Sequence, residues 1–183
     1  MKLHTRESAP EKSQKLLDNS LRSFGMIPNL HAVMASSPAV LEAYQKLHDL
    51  FQQTSFDAEE QTVVWQTINV EHECHYCIPA HTGIAKMMQV DDLVTDALRN
   101  RTELPGKKLQ SLHETTLALV RNRGHLSKQE LNNFYAAGYE EDQLLEITLG
   151  ISQKVLSNYV NHLSQTPVDE AFKAFVWNNK EGN

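Results

Sequence analysis

The chain is punctuated by helix starts and stops, and this punctuation limits its fold more tightly than any other feature. In "SSPAVLEAYQKLHDLF", Ser37 stands as an N-cap with Pro38 in the first turn, where a missing N–H costs nothing. "APEKSQKLLDNSLRSFG" has Pro10 at an early helical position and Gly25 as a stop. "DAEEQTVVWQTINV" opens with Asp57 and Glu60 at the spacing of a capping box, and "SKQELNNFYAAG" repeats that spacing with Ser127 and Glu130 before Gly138. "EEDQLLEITLGISQKVLSNYVNHL" is one long periodic segment, and "TPVDEAFKAFVW" again begins with an N-cap and a proline. No Asn-Gly hairpin and no useful alternation of β-branched residues interrupts this pattern. The expectation is an all-α helical bundle of about eight helices.

A length of 183 residues suits one domain with a sizeable core. The most linker-like piece is "RNRTELPGKK", residues 99 to 108. It separates a half at about 37–98 from a helical half at about 105–178 within a single domain over 1–183. The net charge of −6 argues against nucleic acid or an anionic membrane as partner, since both call for a basic face. No apolar run approaches the roughly 20 residues that span a bilayer. "MKLHTRESAPEK" lacks the apolar core of a signal peptide. A cytoplasmic, reducing location is therefore expected, where closely spaced cysteines point to redox chemistry or a metal.

Both cysteines of the chain lie in "VEHECHYCIPAHTG", residues 70 to 83. Pro79 is tolerated only in a first turn, so its helix must begin near Cys74 to Cys77. A thiol at a helix N-terminus is favoured as thiolate by the helix dipole. Cys74, Cys77 and His81 then fall at i, i+3 and i+7 on one helix face, with His81 in reach to take the Cys77 proton. Glu71 completes an expected relay of acid, two thiols and imidazole. One cysteine attacks an oxidant and becomes sulfenic acid, the other closes the disulfide, and an external thiol restores the pair.

Other readings of the same residues stand beside this one. The cysteines could be plain core residues. They could form half of a zinc site, with His81 or His72 as third ligand and His75 as a further candidate, although a closed structural site wants four ligands. Haem attachment needs His directly after the second Cys, where Ile78 stands, and an iron–sulfur cluster normally needs more cysteines. The pair could also serve a redox-sensing or binding module, or His81 could act as general base on a small lactone or acid. His4, His31, His48, His113, His125 and His162 are assigned structural or surface roles. Trp65 is assigned to the core.

"ECHYCIPAHTG" resembles the C-x-x-C-x-x-x-H signature of the alkylhydroperoxidase D-like, peroxidase-related group of the carboxymuconolactone decarboxylase superfamily. "FGMIPNLHAVMASSPAVLEAY" and the stretch from "LVRNRGHLSKQEL" to "TPVDEAF" extend the resemblance over roughly residues 20 to 175. It implies an all-helical homo-oligomer acting as a thiol-dependent peroxidase or disulfide reductase. Its substrate would be a hydroperoxide, its electron donor an external thiol or dithiol, and it would need no bound cofactor or metal. By position, Cys77 becomes the peroxidatic cysteine, Cys74 its disulfide partner and proton donor, and His81 the base. The sequence departs from the family pattern at Thr62, where a Glu twelve positions before the first Cys is usual, and at Tyr76, where a His is usual. Glu71, Glu60 and His75 are the candidate substitutes, and Glu71 is preferred because the related subgroup carries Glu three before its first Cys. Apolar helix faces such as those with Leu145, Leu149, Val155 and Tyr159 are candidates for core or for contact with another copy.

Overall fold

The computed structural model describes residues 1–178. Within them, nine α-helices and one 3₁₀ helix account for all regular structure. The helices are α1 (Glu11–Phe24), α2 (Asn29–Met34), α3 (Pro38–Phe51), α4 (Ala58–Glu71), α5 (Cys77–Met87), α6 (Asp92–Asn100), α7 (Lys107–Arg121), α8 (Lys128–Ala136) and α9 (Glu141–Ser164). The 3₁₀ helix spans Glu170–Phe175.

Both expected capping boxes form. Glu60 N–H donates to Asp57 Oδ1 at 2.9 Å while Asp57 N–H donates to Glu60 Oε2 at 3.1 Å. Ser127 and Glu130 reproduce the exchange at 3.2 and 2.7 Å. Gly25 stops α1 in the left-handed conformation at φ 70°, and Pro38 occupies the first turn of α3. The Ser37 side chain makes no cap hydrogen bond. Two expectations need correction at element level. Short α2, entered through Pro28, adds a helix to the expected set. The last segment is 3₁₀ rather than α, and it starts at Glu170, three residues beyond Pro167.

Helix α4 organises the packing. Every side chain from Glu60 to Val70 is buried, so α4 has no wet face and is covered by α5, α6, α7 and α9. Its Val63, Val64, Trp65 and Ile68 join Phe51, Phe134 and Ile147 in one apolar cluster. Helices α1, α2 and α3 form a second cluster with Leu17, Leu30, Leu41 and Tyr44, and Cys74, Cys77 and Ala80 belong to it.

Helix α9 inverts the usual amphipathic rule. Its buried face carries Gln153, Lys154, Ser157, Asn158, Asn161 and Ser164, while Leu145, Tyr159 and Leu163 are exposed. Gly150 is what lets α9 approach this closely. A Cβ there would lie 2.7 Å from Phe51 and 2.8 Å from Val64, both fully buried. Gly150→Ala is expected to destabilise the fold by about 1–3 kcal/mol, the usual cost of overpacking. The urea unfolding midpoint checks this, and an unchanged midpoint would mean that α9 can slide away from Phe51.

After α9 the chain folds back across α5. Tyr76 donates its hydroxyl proton to Asp169. Arg99 holds the Phe175 carbonyl at 3.0 Å, and Trp177 Nε1 donates to Arg99 O at 2.9 Å. Phe172 sits so close to Gly83 that a Cβ there would lie 2.6 Å from its ring. The cysteine-bearing helix is thus pressed between α9, α4 and the C-terminal strap.

Candidate active site

The end of α4 sets the position of Cys74. Glu73 takes the left-handed conformation at φ 51°. Its N–H donates to Val70 O at 3.1 Å, and Cys74 N–H donates to Asn69 O at 3.0 Å, the two bonds of a Schellman stop. Cys74 therefore lies in the connection between α4 and α5, which corrects the expectation that it shares the helix face of Cys77 and His81. The chain turns once, Ile78 N–H finds Cys74 O at 3.1 Å, and Cys77 opens α5. Pro79 falls in the first turn, as its chemistry requires. The Cys74 sulfur accepts the Cys77 backbone N–H at 3.3 Å, which holds the first cysteine's sulfur against the N-terminus of α5.

Cys77 and His81, one turn apart, both face the polar stripe of α9. Asn161 Nδ2 donates to Cys77 Sγ at 3.2 Å, and Ser157 Oγ lies 3.8 Å from the same sulfur. The Ser157 hydroxyl also reaches the Lys154 carbonyl at 3.1 Å, so its proton can turn to either acceptor. Lys154 itself has no exposed surface. Its Nζ is 2.8 Å from His81 Nε2, and its charge acts on the Cys77 thiol through space. A buried ammonium needs a compensating charge, and the thiolate is the group at hand.

The electrostatics follow from this packing. Burial on its own pushes the Cys77 thiol up, but the hydrogen bond from Cys74, the Lys154 charge and the Ser157 and Asn158 side chains outweigh it, bringing the pKa down to about 5. The same hydrogen bond to Cys77, followed by burial, drives Cys74 upward and keeps it a protonated donor. Burial pulls Lys154 down, and the two thiols push it back up. His81 is held well below its ordinary range, first by burial and then by Lys154. It is therefore a neutral ring that accepts from Lys154 at Nε2, with its proton on Nδ1, an atom without a partner among the described side chains. Trp65 packs against His81 with ring centroids 4.9 Å apart.

The structure brings Cys74, Cys77 and His81 together but links His81 to the thiols through Lys154. It places Glu71 elsewhere. Both Glu71 oxygens bind the Arg121 guanidinium, at 2.8 and 2.9 Å, on the α7 side of α4. Glu71 therefore faces away from the thiols, and the titratable group beside Cys77 is Lys154, with His81 behind it. Glu71→Gln removes an exposed ion pair worth about 0–1 kcal/mol and should leave the Cys77 thiolate midpoint in place. Alkylation rate against pH measures this; a shift of about one unit would restore Glu71 to the relay. The zinc reading is corrected as well. His72 Nδ1 is bound by Asn158 Oδ1 at 2.9 Å, and His75 Nε2 by Thr166 O at 2.9 Å. Among the described residues, no three His, Cys, Asp or Glu side chains converge as metal ligands.

No protein-family model matches the sequence, and no curated protein matches it. Solved structures share its fold. An uncharacterized peroxidase-related protein from Ralstonia eutropha JMP134, with an alkylhydroperoxidase AhpD core, superposes with a TM-score of 0.82 at 15% identity, over 94% of this chain and 93% of that one. An uncharacterized peroxidase-related protein from Silicibacter sp. TM1040 gives 0.80 at 14% identity, over 94% and 92%. The debrominase Bmp8, as a cysteine-to-alanine variant in complex with 2,3,4-tribromopyrrole, gives 0.78 at 18% identity, over 94% and 93%. The all-α bundle expected from the punctuation is thus the AhpD-like helical fold.

Proposed function

We propose that this protein is a thiol-dependent peroxidase that reduces hydroperoxides through the Cys74–Cys77 dithiol. The observation that carries this reading is the placement of Cys77 at the start of α5, with Asn161 Nδ2 donating to its sulfur at 3.2 Å, the fully buried Lys154 charge acting on it, and the Cys74 sulfur accepting its backbone N–H at 3.3 Å. The peroxidase-related proteins of the same fold support it.

The Cys77 thiolate attacks the distal oxygen of ROOH. The O–O bond breaks, Cys77 becomes S–OH, and the leaving RO⁻ takes a proton from the Lys154 ammonium. Neutral Lys154 next removes the Cys74 proton. The Cys74 thiolate attacks Cys77 Sγ, hydroxide leaves, and it is protonated from Lys154 to give water. The net change is ROOH plus two thiols to ROH, water and a disulfide. An external thiol or dithiol reduces the disulfide and returns the two protons. His81 holds Lys154 by accepting at Nε2, and so serves the relay as a base one step removed from sulfur.

Repeated turnover separates this reading from a redox sensor. With excess dithiothreitol, peroxide should be consumed over many cycles per protein chain. One equivalent consumed, with no further loss, would favour the sensor. The debrominase of the same fold keeps a halogenated ring as the alternative substrate for the same dithiol. Homo-oligomerisation remains part of the proposal, and exposed Leu145, Tyr159 and Leu163 on α9 offer apolar surface for it.

A further inference from the structure

A cavity of about 580 Å³ lies between α1, α2 and α3, within the size range of small-molecule sites. Phe24, His31, Tyr44 and His48 line it, and their rings form a closed circuit. Phe24 meets His31 edge-on at 5.6 Å, and His31 meets Tyr44 edge-on at 5.4 Å. Tyr44 stacks on His48 at 6.4 Å, and His48 returns to Phe24 at 6.2 Å. Phe24 stands at the mouth, 43% exposed, while Tyr44 lies in the apolar cluster that contains both cysteines. The stack continues inward from His48 to Trp65 at 5.8 Å, and from Trp65 to His81.

One hydrogen-bond chain fixes the polarity of this box. The Trp65 indole is a donor only, so Gln153 must present Oε1 to it, at 2.8 Å. The Gln153 amide nitrogen then donates to His48 Nδ1 at 3.0 Å. Burial holds His48 neutral, with its pKa lowered to about 4, so its proton sits on Nε2. That atom makes no hydrogen bond among the described residues, and it belongs to a ring that lines the cavity. Gln153 is the neighbour of Lys154 on α9, so one helix turn supports both the box and the thiol site.

The geometry points to this cavity as the ring-binding subsite of the proposed peroxidase, selecting hydroperoxides that carry a small aromatic ring. The ring packs among Phe24, His31, Tyr44 and His48, and an oxygen acceptor meets His48 Nε2–H; buried Tyr44, which lines the cavity, packs in the same cluster as Cys77. Arg22 and Asp49 also line the cavity, one charge of each sign, so the His48 N–H donor, rather than net charge, sets the demand for a ligand with an acceptor.

This inference rests on the peroxidase reading, and the test separates the two. Peroxide consumption would be followed with cumene hydroperoxide and with tert-butyl hydroperoxide, for the parent chain, for Phe24→Ala and for Leu93→Ala on exposed α6. Binding of 2-phenyl-2-propanol to the reduced protein would be followed by calorimetry. The expected result is a preference of roughly tenfold in kcat/KM for the aromatic peroxide, of the size one aromatic contact supplies. Phe24→Ala should lose that preference and weaken alcohol binding by a similar factor, while Leu93→Ala keeps both. Peroxide consumption without preference and without alcohol binding would overturn the ring site and leave the peroxidase. Alcohol binding lost in Phe24→Ala, with no peroxide consumed, would support the ring site and overturn the peroxidase.

Discussion

Replacing Cys77 with serine is expected to abolish hydroperoxide reduction, lowering the rate by roughly a thousandfold or more, as loss of a nucleophile does elsewhere. The reason is local. Cys77 is the thiol that receives Asn161 Nδ2 at 3.2 Å and the Lys154 charge, whereas Cys74 is driven upward in pKa and held protonated. Serine fits the same space but has no accessible anion at neutral pH. Cys74→Ser should differ in kind. Cys77 would still react once, with its sulfenic acid persisting for want of a partner, and a 1,3-dione probe would trap it on Cys77. Full turnover by Cys77→Ser would invert the assignment of the two sulfurs.

Lys154→Met should have the second largest effect. Methionine matches the length of lysine and removes only the charge and its hydrogen bonds. Without that charge only the Cys74, Ser157 and Asn158 side chains oppose burial at Cys77, and its pKa should rise from about 5 toward the ordinary thiol value of about 8.5. At pH 7 the thiolate then falls from nearly all of the protein to a few per cent, a rate loss of roughly 30-fold or more. The sign appears in the pH profile. In the parent protein the thiolate is present above its midpoint, so activity is lost as the pH falls through about 5. In Lys154→Met activity should instead climb through pH 8 and beyond. Stability should fall, since removing one partner of a buried charge pair leaves the other uncompensated until Cys77 takes up a proton. The His81 Nε2 atom left without a donor adds about 1–3 kcal/mol to that loss. Thiolate absorbance at 240 nm against pH reads the midpoint directly, and a midpoint that stays near 5 would remove Lys154 from the mechanism.

The helices with written starts were legible because their signals are local. Asp57 with Glu60, and Ser127 with Glu130, need only their own backbone to act. Helix α2 was missed because six residues carry too little periodicity to stand out. Cys74 was drawn onto α5 by spacing alone. A left-handed non-glycine residue, Glu73, ended α4 two residues later than its last helical residue, and nothing in its side chain announces that conformation. Pro79, by contrast, located the start of α5 through sterics alone.

The site was half legible. Cys77 and His81 are one turn apart, and the motif shows them. Their partners come from α9, more than 70 positions along the chain. Lys154, Ser157, Asn158 and Asn161 do stand at i, i+3, i+4 and i+7, a visible helical stripe. A polar stripe ordinarily marks the wet face, and here Leu145 and Tyr159 take that side while the polar residues turn inward. Glu71 misled for the converse reason: its spacing from Cys74 suited a relay, but Arg121 of α7 offered a bidentate partner that only the tertiary fold brings near.

The most direct test is the intact mass of the reduced protein before and after one equivalent of hydroperoxide, with free thiols trapped by alkylation. Loss of both alkylatable thiols, with peptide mapping to a Cys74–Cys77 disulfide, is the predicted result. Two thiols still free and reactive after peroxide would contradict the account.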